Sequence, residues 1–192
     1  MKNYKSLTIK YILIALVAHL IVMLILQEAL LKCIPDVDTV TWARRSAIFT
    51  NIFSAILMFL IWLIIMYVPY YGVRSFKKMG YGRYFPVFRN TIFVYLLYEL
   101  TRLLVIILYI FPEASAHLGN IEYFGTFYGK TFAGKLLLWC DMGYIAMASI
   151  FAAIFYCTEV RKVFKEAAIV GFTFLFIFLV INIKNLKLLF NA

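Results

Sequence analysis

Residues 91–111 read TIFVYLLYELTRLLVIILYIF, and two physical demands meet in them. At about 1.5 Å per residue, the stretch is long enough as a helix to cross a hydrocarbon core of roughly 30 Å. Yet Glu99 and Arg102 stand near its middle, where a charge costs at least about 2.5 to 3.5 kcal/mol on insertion scales. At about 100° per residue, Tyr95, Tyr98, Glu99, Arg102 and Tyr109 fall in one stripe roughly 100° wide, while Phe93, Leu96, Leu97 and Leu100 cover the other side. The reading is a membrane-spanning helix with one face turned away from lipid, on which Glu99 and Arg102 pair at a spacing of three residues.

Four further apolar blocks lie on either side, at 11–31, 47–71, 136–157 and 167–183. The expected fold class is therefore all-α, a polytopic transmembrane bundle of about five spans forming a single domain over 1–192. The last block reaches only about 25 Å as a helix, so four spans plus a short or re-entrant segment is the alternative. Pro112 is expected to stop the third span. Composition agrees with this class, since 65% of the 192 residues are hydrophobic and 15% charged, against about 45 to 50% and about 25% in a soluble domain. The mean hydropathy is +0.92. Lys2, Lys5 and Lys10 before the first block resemble the start of a signal peptide, but 11–31 is too long for an h-region and no small-residue cleavage site follows. It reads as a retained span.

Orientation follows from the flanking cations. With the N-terminus cytoplasmic, eleven face inward: Lys2, Lys5, Lys10, Arg74, Lys77, Lys78, Arg83, Arg89, Arg161, Lys162 and Lys165. Seven face outward, namely Lys32, Arg44, Arg45, Lys130, Lys135, Lys184 and Lys187. The expected location is a cell membrane with the N-terminus inside, and a composition rich in Lys, Ile, Phe, Tyr and Asn points to the cytoplasmic membrane of an AT-rich bacterium. The net charge of +10 is accounted for by this bias and by anionic headgroups, so nucleic acid is not expected as a partner.

Other polar residues interrupt the blocks. Asp141 shares a face of the fourth with Tyr144, Ala148 and Ala152, and small residues at this spacing let backbones approach closely. Asp141 either answers Arg102 across antiparallel neighbours or reaches the outer headgroups. His19 sits mid-span in the first block, where a hydrogen-bonded packing role competes with a ligand role. Gln27 and Glu28 lie near its outer end, and Asn51 and Ser54 in the second read as contacts between helices. Cys33, Cys140 and Cys157 form no C-x-x-C and read as free thiols. No metal or cofactor is expected, because neither a zinc spacing nor a second histidine placed for haem is present.

Two connections stand out. The inner segment 72–90, GVRSFKKMGYGRYFPVFRN, mixes aromatics with Arg74, Lys77, Lys78, Arg83 and Arg89 and is expected to lie on the cytoplasmic surface against anionic lipid or a partner. The outer segment 112–135 is expected to cap the bundle as a partly inserted aromatic loop. Catalytic motifs such as G-x-S-x-G, H-E-x-x-H or a P-loop are absent. Three functions remain open. The leading one is a non-enzymatic pore or translocation path for ions or small solutes, built from Glu99, Arg102, Asp141, His19, Tyr95, Tyr98, Tyr109 and Asn51, as a homo-oligomer or a subunit of a membrane complex. The others are an accessory subunit recruiting a cytosolic partner through 72–90, and an intramembrane lipid enzyme, which needs a polar pocket at headgroup depth.

Overall fold

The structure, a computed structural model, describes residues 4–73, 78, 80–183 and 187. These are helical almost throughout, and no strand occurs among them. The order is α1 (Tyr4–Leu31), α2 (Val37–Gly72), α3 (Tyr81–Val105), a π turn (Ile106–Ile110), α4 (Phe111–Ala116), α5 (Ile121–Lys130), α6 (Phe132–Glu159) and α7 (Phe164–Ile181). Five stretches are long and apolar enough to cross a membrane: Ser6–Leu31, Val37–Gly72, Tyr81–Ala116, Ile121–Glu159 and Phe164–Ile181. The chain is an all-α helical bundle of five such spans, and large apolar side chains such as Leu97, Leu108, Phe172 and Phe176 remain exposed around it. A surface of this kind demands lipid or a partner rather than water.

Local chemistry explains where the spans begin. Asp36 caps α2, its carboxylate accepting from the Thr39 amide at 2.8 Å and from the Thr39 hydroxyl at 2.6 Å, a usual device for the free amides of a helix start. Those bonds hold the Asp36 carboxyl below its ordinary range, so the cap is intact at neutral pH and is lost as pH falls through that lowered value. The helix thus starts ten residues before the expected 47. Arg44 lies inside it and grips Glu28 of α1 with two bonds of 2.8 Å.

Two expectations about the third span are corrected. The segment after Gly80 is no surface-lying connection, because α3 already begins at Tyr81 and its Tyr84, Phe85 and Phe88 are buried. Apolar rings at this spacing gain more from the core than from the headgroup layer. Pro112 does not end the span either. A proline ring collides with the carbonyl four residues back in a regular helix, and here the turn just before it is widened: the Phe111 amide donates to the Ile106 carbonyl, five residues back. The chain then continues to Ala116. The outer connection is also ordered, as the short α4 and the amphipathic α5, with Tyr123 and Phe127 facing inward.

Contacts between helices close a ring. α1 packs on α2 and α3, α3 on α6, α6 on α7, and α7 back on α2. The α6–α7 seam depends on small residues, since a Cβ at Gly171 would lie 3.0 Å from the Ser149 carbonyl oxygen and 3.2 Å from the Ala153 Cβ. Two apolar clusters fill the ring at different levels. One gathers Ile12, Trp62, Tyr84, Phe88, Ile92 and Phe174; the other gathers Val22, Leu26, Val105, Ile106, Phe127 and Leu137. Between them fall Glu99 and Arg102 along α3, His19 along α1 and Asp141 along α6.

Candidate functional site

The site is a polar cluster at the junction of those two levels. Glu99 on α3 is its centre and is buried. His19 Nδ1 of α1 lies 2.8 Å from Glu99 Oε1. Arg102, one turn along α3, donates through Nη1 to Glu99 Oε2 at 3.2 Å and Oε1 at 3.4 Å. The Tyr95 hydroxyl donates to Glu99 and also stands 3.0 Å from His19 Nδ1. Spacings of three and four residues put Tyr95, Glu99 and Arg102 on one helix face, and α1 brings the imidazole to that face.

The cluster continues across to α6. Arg102 Nε is 3.7 Å from Asp141 Oδ1, and Asp141 also accepts from the Tyr98 hydroxyl. The remaining terminal nitrogen of Arg102, Nη2, meets only a weak acceptor in the Met23 sulfur at 3.4 Å. Tyr98 stacks on Tyr144 with centroids 4.3 Å apart, and the guanidinium lies 5.4 Å from the Tyr98 ring centre. Both carboxylates are therefore within reach of one fixed cation, at a depth where an unpaired charge is costly.

A cavity of about 370 Å³ opens over this cluster. All five long helices line it, with His19 from α1, Ser54 and Met58 from α2, Glu99 from α3, Asp141 from α6 and Phe178 from α7, and Tyr128 of α5 reaches it as well. Behind its Tyr95 and Phe178 lining packs an aromatic plug, in which buried Trp62 meets Phe88, Tyr95 and Phe178 edge-on at 5.9, 5.3 and 6.2 Å. Tyr144 lines the cavity and is buried, and its hydroxyl has no hydrogen-bond partner among the described residues. Beyond Met23 and Tyr128, which border both spaces, a second recess of about 350 Å³ contains Gln27, Ser46, Thr50 and Asn51. Asn51 donates to Gln27 there at 2.9 Å.

The residues singled out in the sequence thus separate into groups. Glu99, Arg102, Asp141, His19, Tyr95 and Tyr98 meet in one network, whereas Asn51 belongs to the neighbouring recess. Tyr109 joins neither; it is 46% exposed and packs on Phe132 at 6.1 Å. Its phase is lost because the π turn inserts roughly one extra residue per turn, which rotates everything after Val105 relative to the Glu99 face. In the inner segment, Lys78 and Arg83 are exposed and Arg89 bonds to the Asn90 side chain at 3.2 and 3.1 Å. Arg74 and Lys77 lie outside the described residues. Sequence reasoning passes over Met23, Tyr128 and Trp62; only Trp62 leaves a signal, as an indole at mid-span rather than in an interfacial belt. Comparison with family models, curated proteins and solved structures finds no match for this chain, so the geometry alone carries the functional reading.

Proposed function

We propose that this protein provides a translocation path for ions or small solutes across a cell membrane. One observation carries the reading: all five long helices line a cavity whose wall includes the charged network, and a second, mostly apolar recess that holds Gln27 and Asn51 lies beyond Met23 and Tyr128. A bundle that only needed to pack would gain little from such a space, because interhelical hydrogen bonds in membranes contribute about 0.6 to 2 kcal/mol each and voids forfeit packing contacts. The aromatic plug around Trp62, packed behind Tyr95 and Phe178, is the gate in this reading. The depth of the cluster, between two apolar layers, favours this reading over a lipid enzyme, which would work at headgroup level.

The test is flux across vesicles reconstituted with purified protein, read with ion-selective and pH-sensitive dyes. Glu99→Gln and Asp141→Asn should each lower flux at least tenfold while the protein stays monodisperse in detergent. Wild-type flux unchanged in both of these and in Arg102→Gln would remove the network from any path.

A further inference from the structure

We infer that the central cavity binds a monovalent organic cation in exchange for one proton. The inference builds on the path reading, whose cavity it shares, and names the class of solute. Its first support is charge. Among the described residues, the titratable groups bordering the cavity are His19 from α1, Tyr95, Tyr98, Glu99 and Arg102 from α3, Tyr128 from α5, and Asp141 and Tyr144 from α6; α2 and α7 contribute none. Two carboxylates share one guanidinium, so with a neutral imidazole the cluster carries one surplus negative charge. A net charge at this depth is strongly disfavoured. Either one proton, held among His19 Nδ1, the Tyr95 hydroxyl and Glu99 Oε1, or one bound cation restores neutrality. An anion would double the imbalance.

The second support is the lining. The stacked rings of Tyr98 and Tyr144, with Phe178 edge-on to Tyr144 at 5.5 Å, offer the π faces that attract ammonium groups. Met58 and Leu57 suit an apolar body. A bare metal ion needs several oxygen ligands converging on one point, and among the described residues no three His, Cys, Asp or Glu side chains come together in that way. The buried Tyr144 hydroxyl, unpartnered among the described residues, is the third support, since its oxygen is free to turn its lone pairs toward a cation in the cavity. At about 30 Å³ per water, 370 Å³ holds about a dozen waters, room for an amine with a small hydrocarbon body. The exchange balances: the protonated cluster takes up one cation and releases one proton, with no other bond made or broken.

Benzyltrimethylammonium is a suitable probe because it has no proton of its own to lose. Its binding to the full chain in detergent should release one proton per cation, and its affinity should rise about tenfold per pH unit across the exchange range. The neutral isostere neopentylbenzene should not compete. Asp141→Asn, which removes the surplus charge, should abolish both binding and proton release; Tyr144→Phe, which leaves every observed hydrogen bond in place, should weaken binding severalfold and keep the pH slope. Equal binding of neopentylbenzene, preferential binding of phenylacetate, or an affinity flat with pH would each overturn the inference. Cation binding without flux would support it and overturn the path reading, while flux without cation binding would do the reverse.

Discussion

Glu99 and Asp141 are both held by Arg102 and a tyrosine, but Glu99 is hydrogen-bonded to the His19 imidazole of α1 as well. Loss of Glu99 therefore strands two groups at once. Breaking a buried ion pair by removing one partner costs about 3 to 5 kcal/mol, whereas deleting one interhelical hydrogen bond in a membrane costs about 0.6 to 2 kcal/mol. Glu99→Ala should accordingly destabilise the detergent-solubilised protein more than Tyr98→Phe, which removes only one donor to Asp141. Thermal unfolding followed by circular dichroism reads the difference; equal losses would mean that His19 and Arg102 find other partners. The pairing of Glu99 with Arg102 is legible from their spacing alone. That His19 completes the group is not, because an imidazole in an apolar block carries no mark of which helix it faces. Burial also raises the Cys33 thiol above its ordinary range, a property of packing that no spacing reveals.

Among the helices, the glycines separate close approach from mere tolerance. At the start of α6, a Cβ on Gly134 would lie 2.1 Å from the Phe127 carbonyl oxygen of α5, so Gly134→Ala must move backbone. Overpacking costs about 1 to 3 kcal/mol, and a backbone obstacle puts this variant at or above the upper end. Gly143, in the same helix, has nothing within 4 Å of the place a methyl group would occupy, and Gly143→Ala should stabilise by up to about 1 kcal/mol through helix propensity. Melting midpoints that move in the same direction for both would refute the distinction. At this scale the apolar blocks locate every span but misjudge the ends. The α2 start is hidden because Arg44 reads as a loop cation until its bond to Glu28 is seen. Pro112 reads as a stop until the turn before it is found widened, and the same turn removes Tyr109 from the stripe on which regular periodicity places it.

For the molecule as a whole, the number of spans fixes the sides of its ends. Five crossings would put the outer ends of α1 and α7 on opposite faces, and the excess of flanking cations supports the proposal that the α1 end is cytoplasmic. Reporter fusions active only inside or only outside should therefore respond oppositely at the two ends; the same response at both would restore the four-span topology. Hydropathy displays the five crossings, but not their order in the ring. That α7 closes against α2 depends on the Gly171 seam and on Phe178 meeting Trp62, contacts that apolar periodicity within a single block does not encode.

The plug has an optical consequence. The chain holds three tryptophans; Trp42 and Trp139 are 77% and 63% exposed, whereas Trp62 is wholly enclosed. With the two outer indoles replaced by phenylalanine, the emission colour of the third becomes a native reporter of whether water has reached the rings around it, readable without any attached dye.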